Sequence, residues 1–157
     1  MKTETSSLTF IRTRNAAITT PKSKLQKFFE VEIVSENELT RIFIQAHQAL
    51  WGGGQRNPSV AFDELDKLIF CKIWDEKNPR KQGEPYQFQI FRDETAEELL
   101  DRIKGLYEQG RNKDPEVFKE DINLTPEETQ TIVKYLQRIN LNKTELVSRH
   151  INVATLL

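Results

Sequence analysis

The 157-residue sequence has little of what most catalytic and metal centres are built from. It holds one cysteine, Cys71, and two histidines, His47 and His150. A single cysteine excludes an intrachain disulfide and fits a reducing compartment. The histidines lie far apart, and neither has a second His or Cys at metal-ligand spacing. No Gly-Lys-Ser/Thr run follows a glycine at the spacing of a phosphate-binding P-loop. No stretch approaches the ~18 apolar residues of a membrane span, and the N-terminus lacks the apolar core of a signal peptide. The expectation is a soluble cytoplasmic protein with no membrane partner, no metal site, and no catalytic or cofactor-binding residue in this chain.

What is present is charge and helical periodicity. Charged residues make up 30% of the chain and apolar residues 37%, a balance that favours helices with large solvated faces. The net charge of -1 gives no global attraction to nucleic acid, but it is unevenly spread. Residues 1–34 carry six Lys/Arg against Glu4, Glu30 and Glu32, or +3, and the remainder carries 17 against 21, or -4. Residues 1–34 read as an irregular basic arm, in which 28–34 form either a short extended segment or part of a disordered or loosely docked arm.

Four helix starts follow. Ser35 and Glu38 form a capping-box pair ahead of Leu39, Ile42, Phe43, Ala46 and Leu50. That helix is expected to end in a left-handed cap at Gly52. Asn57-Pro58 opens a second helix with a broad apolar face, Ala61, Phe62, Leu65, Leu68, Ile69, Ile73 and Trp74. Its Asp63, Glu64, Asp66 and Lys67 read as a solvated polar stripe. Thr95 with Glu98 starts a third helix, expected to stop at Gly110, and Thr125-Pro126 with Glu128 a fourth. "YQFQIF", residues 86–91, alternates as a short extended segment would, and "DPEVFKE", residues 114–120, reads as one or two helical turns. The fold class is therefore mainly all-α, a compact helical bundle or orthogonal helical domain over 35–146, with residues 147–157 as a divergent tail.

The candidate chemistry is sparse. Gly52-Gly53-Gly54 follows an amphipathic helix rather than a strand, so it reads as a joint between helices and not as a dinucleotide loop. Arg56 stands just before the second helix, where it meets either a DNA phosphate or water. Lys77, Arg80 and Lys81 in "DEKNPRK" form either a solvated loop or a small positive patch for a sugar-phosphate backbone. Cys71, among Ile69, Phe70 and Ile73, reads as a buried inert thiol. His47 reads as a partly buried or interface side chain.

The runs "LWGGGQRNPSVAFDELDKLIFCKIWDEK", "RIKGLYEQGRNKDPEVFKEDINLTPE" and "VKYLQRINLNKTEL" resemble the N-terminal helical region of adenine-N6 DNA methyltransferases, the modification subunits of type I restriction–modification systems. The resemblance covers roughly residues 38–146. It implies a helical N-terminal domain that packs on a catalytic methyltransferase domain, helps enclose DNA, and helps assemble the complex with a specificity subunit. S-adenosylmethionine would be the cofactor of the parent enzyme. The family's Asn/Asp-Pro-Pro-Tyr/Phe signature is missing, because no two of the six prolines are adjacent. The glycine loop for S-adenosylmethionine is missing too. The chain then reads as a non-catalytic piece of such an enzyme or as a truncated product. A stand-alone helical protein-interaction module, or a remnant without activity, is the alternative.

Overall fold

The computed structural model describes residues 31–52, 56–81, 83–116 and 118–142. It divides the chain into two units. Of the smaller, only residues 91–93 are described, with Asp93 in the left-handed region at φ 63°. All four helices belong to the larger unit.

Four helices form, and no strand forms among the described residues. Helix α1 spans Glu36–Trp51, α2 Pro58–Lys77, α3 Ala96–Lys113 and α4 Pro126–Leu136. Their starts obey the capping chemistry of the sequence. The Asn57 Oδ1 accepts the Val60 N–H at 2.9 Å, and Pro58 follows it as a first residue with no amide hydrogen to satisfy. Thr95 and Glu98 exchange side-chain and backbone hydrogen bonds at 3.0 and 3.1 Å, and Thr125 and Glu128 do so at 2.8 and 3.1 Å. At α1 only half the expected box forms. Ser35 Oγ accepts the Glu38 N–H at 3.2 Å, but the Glu38 carboxylate turns to Arg41, an ion pair one helical turn away.

Packing closes the four helices into a ring. Helix α1 packs on α2 and α4, α3 packs on the same two, and α2 touches α4 more lightly. The inward residues come at helical spacing: Leu39, Phe43, Ala46 and Leu50 from α1, Leu65, Leu68, Ile69 and Cys71 from α2, Leu99, Ile103, Leu106 and Tyr107 from α3, and Ile132, Val133 and Leu136 from α4. Each fully buried Leu or Phe contributes about 1.5–3 kcal/mol. Ile139 and Leu141, just past α4, join the core with Phe88, Ile122 and Leu124 from the loops.

Several local expectations change. Gly52 ends α1 at φ -61°, right-handed, so the glycine does not serve a left-handed cap. Its lack of a Cβ matters instead, since one would sit 2.6 Å from the Gln48 carbonyl oxygen. Gly110 does not stop α3, which runs on to Lys113. It is a packing residue: a Cβ there would lie 2.7 and 2.9 Å from the Phe70 ring. Residues 114–116 form a turn and not a helix, and Phe118 packs on the Phe70 ring at 4.5 Å.

Residues 86–90 bend rather than pair as a strand. Near the start of the bundle, Glu32 makes one isolated parallel bridge to Ile139, donating to Arg138 O at 2.7 Å and accepting from Asn140 at 2.8 Å. The expectations for residues 1–30, the glycines 53 and 54, and the tail from 143 on lie outside the described residues.

Candidate nucleic-acid interface

Helix α2 organises the candidate site, and it does so through charged residues buried beside its apolar face. Glu64 and Lys67 are buried, so the polar stripe expected there is only partly solvated; Asp63 is exposed and Asp66 half-buried. The physical reason is a set of backbone partners that replaces water. Lys67 Nζ pairs with Glu64 at 2.7 Å and donates to Asp121 O at 2.8 Å, while Glu64 accepts the Asn123 N–H at 2.9 Å. Together they pin the segment that leads into α4.

The same device recurs twice near the C-terminal end of α2. Asp75 accepts the Phe88 N–H at 2.8 Å. Burial still pushes its carboxyl up from the usual range, opposed by the Phe88 and Gln87 amides. Glu76 pairs with Lys72 at 3.0 Å and accepts the Leu141 and Asn142 amides at 3.1 and 3.0 Å. Burial lowers the Lys72 ammonium and Glu76 pulls it back up. Three acidic side chains on one helix thus each hold a neighbouring loop by its backbone.

Arg102 fixes the other side of the 86–90 loop. It donates to Gln89 O at 3.0 Å, reaches Gln87 O, and pairs with Glu94 at 2.6 Å. None of these roles is visible in periodicity. The only sequence signal is a pair of spacings, Glu64 to Lys67 and Lys72 to Glu76, inside an apolar run.

Beyond this anchored end lies the basic patch. Helix α2 ends at Asn78, whose N–H bonds Trp74 O at 3.1 Å, and Pro79 follows. Lys77, Arg80 and Lys81 are all exposed within five residues. Arg80 stacks its guanidinium carbon 3.5 Å from the centre of the half-buried Tyr86 ring and donates through Nη1 to Glu84 O at 2.6 Å. The Lys81 N–H donates to the Glu84 carboxylate at 2.9 Å. Over residues 77–84 the ionised side chains are Lys77, Arg80 and Lys81 against Glu84, so +3 and -1 leave +2.

Arg56 stands apart from this patch. It grips Glu128 with two hydrogen bonds, 3.0 Å from Nε and 2.7 Å from Nη2. That fork ties the α1–α2 connection to the first turn of α4, and it holds the Glu128 carboxyl below its usual range. Within the fold, then, Arg56 has a carboxylate partner. His47 Nε2 lies 2.8 Å from Pro58 O, and its ring sits 6.2 Å from that of Trp51. Cys71 is buried, with its thiol pushed up by burial, and Sγ sits 3.9 Å from Ile103 O.

Two other surface features stand out. A cavity of about 390 Å³ is lined by Lys104, Tyr107, Glu108, Arg111, Asp121 and Ile122. Its arginine is neutralised by Glu108 and Asp121, and the Tyr107 hydroxyl donates to Glu120 O at 2.7 Å. The other is apolar: Ile44 and Trp51 are each 37% exposed, and Ile33, Val60 and Tyr135 are exposed elsewhere on the surface. Ile44 and Trp51 are seven residues apart on α1 and therefore share a face. Among the described residues no group of three His, Cys, Asp or Glu is placed to hold a metal ion, and no helix is long and apolar enough to cross a membrane.

Sequence comparison with protein families and with curated proteins finds no match for this chain.

Proposed function

We propose that this chain is the non-catalytic helical domain of an adenine-specific DNA methyltransferase of a restriction–modification system. In this reading it packs on the catalytic domain, helps enclose DNA, and helps assemble the complex with a specificity subunit in the cytoplasm. The observation that carries the reading is where the resembling run falls. "AFDELDKLIFCKIWDEK" is α2, the helix whose buried carboxylates anchor three loops and whose end carries the exposed Lys77, Arg80 and Lys81. A patch of +2 over eight residues suits contact with a few phosphates and no base reading. Arg56, bound to Glu128, contributes little to that contact in this reading. S-adenosylmethionine belongs to the parent enzyme's other domain. Calorimetric titration of the 157-residue chain with S-adenosylmethionine should therefore give no binding heat, and tight binding would overturn the proposal.

A second reading is favoured by Ile44 and Trp51, exposed on one face of α1, which suit a protein partner better than a phosphate backbone. A stand-alone interaction module would bind its partner through such a face with affinity nearly independent of salt. A DNA grip weakens steeply as salt rises.

A further inference from the structure

We infer that Arg80 is the anchor of the basic patch: a guanidinium fork held ready for a DNA phosphodiester by the ring of Tyr86 and the carbonyl of Glu84. The inference rests on the reading of this patch as a DNA contact, and it deepens that reading by ranking its residues.

Three cations sit within five residues, but they are not equivalent. Lys77 and Lys81 are exposed ammonium groups on flexible four-carbon stems, and a phosphate must order each of them on binding. Arg80 is ordered beforehand. Its guanidinium carbon lies 3.5 Å over the Tyr86 ring, and Nη1 is tied to Glu84 O at 2.6 Å. Stacking covers a face of the planar group and leaves its edges open. The Nε and Nη2 edge makes no hydrogen bond to any described residue, and two parallel N–H groups on such an edge match two phosphate oxygens.

The support beneath Arg80 is itself fixed. Phe88, two residues beyond Tyr86, is held by Asp75 at 2.8 Å, and Arg102 holds the Gln87 and Gln89 carbonyls. Tyr86 thus stands at the start of a loop clamped from two helices. It is a positioning residue, acting on the phosphate only through Arg80. The negative groups nearby are accounted for. Asp75 and Glu76 face inward onto backbone amides and Lys72, and Glu84 is held by the Lys81 N–H. The Arg80 charge also favours the ionised form of Asp75, against the burial that opposes it.

The test measures duplex DNA binding by fluorescence anisotropy over a range of salt concentrations, using the 157-residue chain and four variants: Arg80→Lys, Tyr86→Phe, Tyr86→Leu and Lys81→Ala. Circular dichroism and melting temperature establish that each is folded. Arg80→Lys keeps the charge and loses the fork, and Tyr86→Leu keeps the bulk and loses the aromatic face. Both are expected to weaken binding roughly two- to ten-fold, the range set by ordering one long side chain, with the salt dependence unchanged. Tyr86→Phe retains wild-type affinity. Lys81→Ala behaves differently, reducing the salt dependence by about one phosphate. If the wild-type chain binds DNA in a salt-dependent way but Arg80→Lys or Tyr86→Leu binds as well as wild type, the anchor is wrong and the patch stands. The anchor is equally wrong if Tyr86→Phe loses as much as Tyr86→Leu. A wild-type chain that does not bind DNA removes the patch and the anchor together.

Discussion

Gly110 and Gly105 lie five residues apart in α3 and should respond to alanine in opposite directions. At Gly110 the new methyl would meet the Phe70 ring at 2.7 Å and Trp74 at 3.3 Å, with the Phe70 ring already packed against Tyr107 and Phe118. Overpacking costs about 1–3 kcal/mol, and the better helix propensity of alanine returns up to ~1 kcal/mol. Gly110→Ala should therefore lower stability in urea unfolding by about 1–2 kcal/mol. At Gly105 nothing lies within 4 Å, and Gly105→Ala should raise stability by about 0.5–1 kcal/mol. Cys71 makes a second single-residue prediction. Because it is buried and its thiol is pushed up, it should resist a disulfide reagent at pH 8 in the folded protein and react at once in denaturant. Rapid labelling of the native protein would contradict this burial. A third concerns Glu128, whose carboxyl is held below its usual range chiefly by Arg56. A depressed acid adds stability that is full above its unfolded pKa, ~4.3, and is lost as pH falls through the folded value. Asp75, raised by burial, works in the opposite sense, so the measurement is a difference between proteins. Glu128→Gln keeps a capping-box partner for Thr125 and loses only the charged fork. Its deficit against wild type should be about 1 kcal/mol at pH 7 and should shrink as pH drops below ~4.

At the scale of elements, α2 is a buried hub, and its electrostatics set what its neighbours tolerate. Glu76 serves Lys72 and the backbone of Leu141 and Asn142 at once, with its side chain 4% exposed and that of Lys72 1% exposed. Replacing Glu76 with leucine removes the carboxylate that takes the Leu141 and Asn142 amides and leaves the buried Lys72 ammonium with the Gln137 carbonyl at 3.5 Å in place of its ion pair, and should cost about 3–5 kcal/mol. Lys72→Met removes the charge that needs a partner and leaves Glu76 its amides, so its cost should be smaller. Hydrogen exchange should show the amides of residues 141 and 142 losing protection in the Glu76 variant and keeping it in the Lys72 variant. Helix starts were legible in the sequence because capping is local: Asn57-Pro58, Thr95 with Glu98, and Thr125 with Glu128 each act within four residues. What failed was non-local. Glu64 and Lys67 read as solvated because their partners, Asp121 and Asn123, lie more than fifty residues away. Gly110 read as a stop because the ring it accommodates belongs to another helix. Tyr86, Phe88 and Ile90 alternated as a strand would, but Asp75, Gln137 and Arg102 supply side-chain partners where a strand needs a neighbouring backbone.

On the scale of the whole molecule, four helices close a ring in which α2 and α4 each pack on both α1 and α3. The charged groups within this fold are largely engaged with one another or with backbone. Lys104, Lys113, Lys119 and Lys134 are exposed as well, and what sets Lys77, Arg80 and Lys81 apart is that three exposed cations fall within five residues. Lys77, Arg80 and Lys81 were legible as a cluster, but their contrast with Arg56 was not, since the partner of Arg56 is Glu128, seventy-two residues on. In the proposed function, the face of α1 that exposes Ile44 and Trp51 is the one to dock on a second domain, and the basic patch is the one to meet phosphate. In the proposed function this domain grips DNA through the basic patch of Lys77, Arg80 and Lys81. That grip is tested most directly by the salt dependence of duplex DNA affinity for the wild-type chain and for the combined Lys77→Ala, Arg80→Ala, Lys81→Ala variant. With a slope of about 0.9 per phosphate, the log–log plot for wild type should be steeper than that of the variant by about 2–3, and the variant should bind far more weakly at low salt. Equal affinities and parallel plots for the two proteins would contradict the claim.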